Sequence, residues 1–388
     1  MVVDSSGVAT AVADARRAGR VAVDAEFLWE RTYAPIPCLI QMASDQAIWL
    51  IDPVAGAPLD EMAKLMADPS VQKVMHAPGS DLALFAAHFG TVPAGIVDTQ
   101  TTAGFVGQGT GASLATLLER VLGVKLAKTE SYSDWSKRPL SPAQIEYGAD
   151  DVRHLLALAD EIDRQIAVHG REDWVSEEMT RRFGPTVNWL TDPEVAWKRV
   201  KSQGRLSGRE RSALQGVAEW RERAARDRDR PVQWILPDRS AIELSKRRPT
   251  TSTKLRQVRG VPEHLSPKDR DDLVGAIAAA LERPAPPAIP VPPANLRERL
   301  EMLGGLGLAL INARAGSVDV ASSLVASRDE LAQFLMAVLD GEAPTGELAT
   351  GWRWTLVGEA LTRLARSEIS LTPIPDPPYL REIPVQTA

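Results

Sequence analysis

The chain has 388 residues, 44% hydrophobic and 25% charged, with a formal net charge of −6. That length suits two or three domains, and the composition is that of an ordinary globular protein. No run of about 18 apolar residues exists to span a membrane, "MVVDSSGVAT" lacks the basic-then-apolar pattern of a secretory leader, and the single cysteine, Cys38, excludes an intramolecular disulfide and a cysteine-based metal cage. A cytoplasmic protein is expected, with Cys38 in "PIPCLIQM" a small buried hydrophobe. The net charge hides an asymmetry. Residues 194–260 carry 18 Lys and Arg against 8 Asp and Glu, an excess of 10 positive charges that leaves the remainder at −16. One part of the chain suits a polyanion and another is acidic.

In chain order, "RVAVDAEF", "CLIQMAS" and "AIWLIDP" read as strands, the last two joined through Asp45 and Gln46 as a tight hairpin. "LDEMAKLMADPS" reads as a helix stopped at Asp68-Pro69, and "VQKVMHA" as a short strand. "SDLALFAAHFG" reads as a helix with Ser80 as its N-cap and Gly90 at its end. "GIVDTQ" is a weaker element, and "SLATLLERVLGV" a helix capped by Ser113. "SPAQIEYGADDVRHLLALADEIDRQIAVHG" predicts one long helix from Ser-Pro to Gly170. Strands followed by alternating helices and strands describe a mixed sheet flanked by helices. From about residue 205 the chain reads as all helical, interrupted by "PAPPAIPVPP" as an extended spacer. The Pro-rich end is expected to be unstructured from 371 to 388.

The apolar run "VAVDAEF" contains two acids. Strand alternation sends Val21, Val23, Ala25 and Phe27 one way, and Ala22, Asp24 and Glu26 the other. A buried carboxylate needs a partner, either a basic group or a cation. Asp-x-Glu by itself says little: Asp192-Pro193-Glu194 and Asp340-Gly341-Glu342 also have that form and read as turns. Asp81 stands in the first turn of a helix, where an acid is most often only favoured by the dipole. Tyr147 and Asp151 are four apart and share a helix face. Together, four carboxylates on one strand and two helices suit two divalent cations about 3.5–4 Å apart, the arrangement that promotes in-line phosphodiester hydrolysis. Carboxylate and water ligands favour Mg²⁺ or Mn²⁺.

In order and spacing, "VDAEF", "HAPGSDL" and "EYGADDV" resemble the three exonuclease motifs of the ribonuclease D family. "ERTYAPIPCLIQMAS", "VDTQ" and "SYSDWSKRPLSPAQIEYGADDVRHLL" agree as flanks, and the resemblance covers roughly residues 1–190, although "MVVDSS" is a slightly short lead-in. It implies a ribonuclease H-like α/β exonuclease domain, with Asp24, Glu26, Asp81 and Asp151 as metal-binding acids and Tyr147 as the water-positioning residue. Asp150 is the neighbour open to confusion with Asp151, and the Tyr-x-x-x-Asp spacing selects Asp151. Phe27, Trp29, Arg31, Tyr33 and Gln41 near the first motif are expected near the terminal nucleotides, and His76 is a further candidate contact, with a satisfied structural histidine as its plainer reading.

The segment from "LSGRERSAL" to "KLRQVRGV" resembles HRDC, the small helical domain shared by RecQ-type helicases and ribonuclease D. The basic excess lies there, where Lys and Arg give sequence-independent, salt-sensitive contacts to phosphates. Trp220 and Trp234 are candidate base-stacking partners, with core packing as the plainer reading. "GWRWTLVGEAL" is the best match of a second, divergent copy. The expected organisation is an exonuclease domain at 1–190, an HRDC-like domain at 205–283, a linker at 284–296, a second HRDC-like domain at 297–370 and a tail at 371–388. "GGLGLAL" lacks the spacing and the preceding strand of a nucleotide loop and reads as close helix packing. His88, His154, His169 and His264 show no zinc-ligand spacing, and no Walker A or GxSxG motif occurs.

The expectation is a metal-dependent 3′→5′ exoribonuclease that trims structured RNA, transfer-RNA precursors foremost, as a monomer without a small-molecule cofactor. Two rival readings stand beside it: a 3′→5′ DNA exonuclease of repair, and a non-catalytic RNA-binding scaffold. The latter would show a lost carboxylate, and all four are present with Tyr147.

Overall fold

The computed structural model describes residues 2–3, 5–126, 133–286 and 294–385. Its first unit runs through β1 (Val2–Val3), α1 (Ser5–Ala18), β2 (Arg20–Leu28), β3 (Ile36–Ala43), β4 (Ile48–Ile51), α2 (Asp60–Ala67), β5 (Gln72–Met75), α3 (Gly79–Phe89) and β6 (Ile96–Asp98). Then follow α4 (Thr99–Ala103), α5 (Leu114–Leu117), α6 (Pro142–Arg153), α7 (Leu155–Val168) and α8 (Glu172–Phe183). The strands form one mixed sheet in the order β1-β4-β3-β2-β5-β6. β2, β3 and β4 are successively antiparallel, whereas β5 runs parallel to β2.

Period-two alternation along β2 feeds two cores. Val21, Val23 and Ala25 join Ile40, Met42 and Ile51 under α1, α2 and α3. Ala22 joins Ala43 and Val74 on the opposite face, under residues of α5 and α7 such as Leu117, Leu155 and Ile162. The result is a three-layer sandwich with β2 near its centre. α1, which the sequence pattern did not single out, covers the first face with Val8, Ala11, Val12 and Ala15.

Three local expectations are corrected. α3 starts at Gly79 after Pro78 and has no side-chain cap, so Ser80 is inside the helix. The long helix expected to run to Gly170 breaks at His154 (φ −110°, ψ 3°) into α6 and α7. The break lets α6 lie across β3 and β4 while α7 turns to pack against β5. The end of the chain forms a hairpin, β7 (Ile369–Pro373) with β8 (Leu380–Pro384), in place of an unstructured tail. Arg314 anchors it through both carboxylate oxygens of Glu382, at 2.7 and 2.9 Å, a long-range tie that composition does not reveal.

The basic segment folds as α9 (Gly208–Asp227), α10 (Val232–Ile235), α11 (Asp238–Arg247), α12 (Ser252–Arg256) and α13 (Pro267–Leu281). Leu214, Val217, Leu244, Leu255 and Ile277 fill a separate core. Gly216 sets its density: a Cβ there would lie 2.3 Å from the Ala276 carbonyl oxygen, so only glycine lets α9 and α13 approach this closely. Residues 287–293 of the Pro-rich spacer lie outside the described residues. Beyond it come α14 (Ala294–Ser317), α15 (Ser322–Val325), α16 (Arg328–Leu339), α17 (Gly351–Arg353) and α18 (Glu359–Ala365). These surround a further core, which takes in Phe105 from the α/β unit. Gly307 of the "GGLGLAL" stretch packs against Leu331 and Leu361. Ser141, Ser207, Ser266 and Ser327 open α6, α9, α13 and α16 with reciprocal capping boxes. Among the described residues no helix is long and apolar enough to cross a membrane.

Candidate active site

Asp24 and Glu26 stand on the α6 side of β2, opposite Gln41 and Leu39 of β3. The register shifts between Glu26 and Phe27, so the strand is irregular just past the second acid. α6 crosses this face and lowers Asp151 onto it. Carboxylate oxygens of Asp24, Glu26 and Asp151 all lie within 4.8 Å of one another. Asp81, in the first turn of α3 and 8% exposed, lies close enough to Asp24 and Glu26 to feel both charges. Asp150 points to Arg153 at 3.2 Å, away from this cluster.

Among the described residues none of the four acids ion-pairs with a Lys, Arg or His, and the electrostatics show the consequence. Burial pushes Asp24 up to about 7. Burial and then the Asp24 charge push Glu26 up to about 8. Burial, Asp24 and Glu26 take Asp151 to about 9, and the same causes hold Asp81 well above the carboxylate range. Such a cluster is incompletely ionised at neutral pH unless positive charge arrives. Oxygen-only donors, close spacing and no basic neighbour together fit hard divalent cations.

Tyr147 lies one helical turn before Asp151. Its ring leans on Trp135, with centroids 5.9 Å apart and planes at 47°. Burial, then Asp151, Glu26 and Asp24, raise its hydroxyl above the ordinary tyrosine value, so it stays protonated and acts as a neutral hydrogen-bonding group. Beside the acids opens a cleft of about 720 Å³ lined by Glu26, Phe27, Arg31, Thr32, Asp134 and Trp135, among others. Asp134 and Trp135 come from the stretch "SDWSKRPL", which the sequence marks only as a flank of the third motif.

The expected substrate contacts are placed unevenly. Phe27 packs on the first core and meets Trp29 edge-on at 6.5 Å, yet its rim reaches the cleft. Tyr33 is corrected: its hydroxyl donates to Glu222 at 2.7 Å and its ring carries the Arg226 guanidinium at 5.6 Å. It is therefore a joint between the α/β unit and the first helical unit. Gln41 is fully buried on the face beneath α6, and both its amide atoms lack a protein partner. His76 is held by Thr99 Oγ1 at 3.0 Å, and burial lowers its pKa. Cys38 is buried.

In the basic unit, tertiary structure spends much of the charge internally. Arg221 pairs with Asp238, Arg223 with Glu219 and Arg228 with Asp269. The less committed cations gather at the end of α11 and around α12, where Arg247, Arg248, Lys254 and Arg259 line a pocket of about 410 Å³. Trp220 is packed against the helical core, whereas Trp234 is 51% exposed and is not core.

Comparisons with known proteins agree with this site and architecture. The 3′-5′ exonuclease family matches residues 1–167, and the HRDC domain family matches residues 210–277. Ribonuclease D of Acidiphilium cryptum is 34% identical over 361 residues, spanning 90% of this chain and 89% of that protein. Ribonuclease D of Granulibacter bethesdensis is 32% identical over 96% of this chain and 93% of its own length. The crystal structure of Escherichia coli RNase D, an exoribonuclease involved in structured RNA processing, matches with a TM-score of 0.79 at 27% identity, covering 95% of this chain and 98% of that one. On the strength of full-length identity, the domain order and the acid cluster at the sheet, this chain belongs to the ribonuclease D family.

Proposed function

We propose that the chain is a 3′→5′ exoribonuclease in which Asp24, Glu26, Asp81 and Asp151 hold two divalent cations, Mg²⁺ or Mn²⁺, and that its task is to trim structured RNA such as transfer-RNA precursors. The observation that carries this reading is the set of four buried or half-buried acids that, among the described residues, no basic side chain neutralises, at the edge of an open cleft. Bound there, divalent cations supply the positive charge that favours water ionisation and stabilises a leaving 3′ oxygen. The protein's own part is placement. The two strand acids and the two helix acids converge from three elements, so the charge sits where the scissile phosphate meets the sheet. The neutral Tyr147 hydroxyl orients the attacking water. Water oxygen bonds to phosphorus, the bond from phosphorus to the 3′ oxygen breaks, and that oxygen takes a proton. The products are a nucleoside 5′-monophosphate and an RNA one residue shorter with a free 3′ hydroxyl.

The basic pocket of the first helical unit supports phosphate contacts remote from the cut. The third unit reads as a divergent second HRDC-like domain, and the protein as a cytoplasmic monomer without a small-molecule cofactor. The test is digestion of a 5′-labelled single-stranded RNA with Mg²⁺, beside a matched DNA, a chelator control and Asp24→Ala. A ladder shortening from the 3′ end, lost in both controls and stronger on RNA, is the expected outcome. Equal or faster cleavage of DNA favours the repair exonuclease. Tight RNA binding without cleavage in Mg²⁺ or Mn²⁺ favours the scaffold.

A further inference from the structure

The stretch "SDWSKRPL" forms a strap from Ser133 to Leu140 that closes one side of the cleft and leads into α6. Arg138 fastens it. Its Nε donates to Asp52 Oδ2 at 2.6 Å, and its Nη2 donates to Asp52 Oδ1 at 2.5 Å and to the Cys38 carbonyl at 2.6 Å. Its Nη1 donates to the carbonyls of Trp135 at 2.8 Å and Lys137 at 2.7 Å. All three guanidinium nitrogens are thereby engaged, in a fork that only arginine presents. Asp52 directly follows β4 and Cys38 lies within β3, so the fork ties the strap to the sheet.

A second pin holds the strap to α6. Gln144 Nε2 donates to Ser133 Oγ at 2.8 Å, while its Oε1 accepts from the Ser141 backbone at 3.0 Å. Between the pins Trp135, 4% exposed, is wedged among Cys38, Leu39 and Leu50 of the sheet and Ile145 and Tyr147 of α6. A wedge in a close-packed site has little freedom, so the position of its ring limits that of its neighbour.

We propose that Arg138 is a positioning residue: by clamping the strap to Asp52 and the Cys38 carbonyl it fixes Trp135 against Tyr147 and so sets the Tyr147 hydroxyl beside the carboxylates. The proposal rests on the water-orienting role of Tyr147 given above. Arg138 itself is not among the residues that line the cleft.

Arg138→Lys keeps the charge and loses the fork. Single-turnover cleavage should slow roughly 10–100-fold, the scale of a misplaced catalytic group, with KM for RNA within about twofold. In a Tyr147→Phe background the same substitution should change the rate by less than about twofold, because its effect runs through the hydroxyl already removed. An equal loss in both backgrounds overturns the proposal and leaves Arg138 a purely structural residue. A readout independent of activity is fluorine NMR of protein carrying fluorotyrosine at its 4 tyrosines. Arg138→Lys should move the Tyr147 line, identified by its loss in Tyr147→Phe, and leave those of Tyr33 and Tyr379 in place; an unmoved Tyr147 line overturns the clamp. If Arg138→Lys does not fold, Asp52→Asn opens the same fork from the other side and is read identically. A wild type inactive on RNA would instead refute the nuclease reading, which the fluorine spectrum separates from the clamp.

Discussion

Two regions of the molecule bury carboxylates, and they treat them in opposite ways. At the joint between α8 and the third unit, Glu178 is fully buried and accepts hydrogen bonds from Arg181 at 2.6 Å, from Arg182, and from Arg353 at 2.5 Å. Arg353 is itself 2% exposed and also donates to the carbonyls of Leu324 and Val325. Burial opposes ionisation of Glu178, but the three arginines outweigh it and take its carboxyl down to about 2. At the edge of the cleft burial acts on four acids with no arginine paired to them among the described residues, and they move the other way. A buried acid enclosed by arginines holds two units together, whereas the cleft acids, under the proposed function, receive their positive charge from solution as divalent cations.

The largest effect should come from disturbing the second arrangement. Asp24→Asn should reduce RNA cleavage by roughly a thousandfold, worth about 4 kcal/mol of transition-state stabilisation. In the absence of metal the same variant should melt slightly higher than wild type, by roughly 2–4 °C, as about 1 kcal/mol of relieved repulsion does in a domain of this size. A calorimetric scan in chelator beside a cleavage assay checks both; a variant that melts lower and cleaves normally would mean that Asp24 is an ordinary structural acid.

The opposite region sharpens the contrast. Arg353→Met leaves Glu178 with only its neighbours on α8 and should cost about 3–5 kcal/mol, the usual penalty for stripping one partner from a buried pair. Chemical denaturation should register that loss, while the affinity of the acid cluster for Mg²⁺, measured by calorimetry on the folded variant, should stay unchanged. Weaker Mg²⁺ binding would show that the third unit supports the cluster.

The most continuous effect is the dependence of stability on pH. Glu26, Asp24 and Asp151 have folded values of about 8, 7 and 9, far above their ordinary values of 4.5 and 3.8. The folded state therefore holds protons that the unfolded chain releases, and metal-free stability should fall as pH rises from about 4 towards 9. Glu178 works in reverse: its contribution is present above its ordinary value of 4.5 and is lost as pH falls towards about 2. Melts across this range should slope downward on the alkaline side in chelator and flatten when Mg²⁺ is added. A flat metal-free profile would mean that the four acids have partners or solvent enough to ionise freely.

How far the sequence carries depends on the distance over which each feature is decided. The β2 alternation was legible because it is local: the pleat itself puts Asp24 and Glu26 on one face. The i, i+4 pairing of Tyr147 with Asp151 is equally local, and the structure also separates Asp150, turned to Arg153, from the cluster. Tyr33 was not legible in this way. Its position next to the first motif implied the site, but its contacts are with Glu222, Arg226 and Asp229, nearly two hundred residues on. The end of the chain misled for the same reason. Five prolines from residue 371 onward read as disorder, yet Arg314 and the Glu368 carbonyl hold a hairpin there.

By itself, then, the sequence determined the order of the units, the strand and helix that carry the acids, and the excess of positive charge between 194 and 260. These follow from periodicity and composition, which act over a few residues or add up without regard to place. Only the tertiary structure decided which acids meet and lack a basic partner, which arginines are spent on Asp238, Glu219 and Asp269, and what holds Tyr147 in place. Those outcomes depend on which groups burial brings within a few ångströms of one another, and in a folded chain such neighbours are distant in sequence.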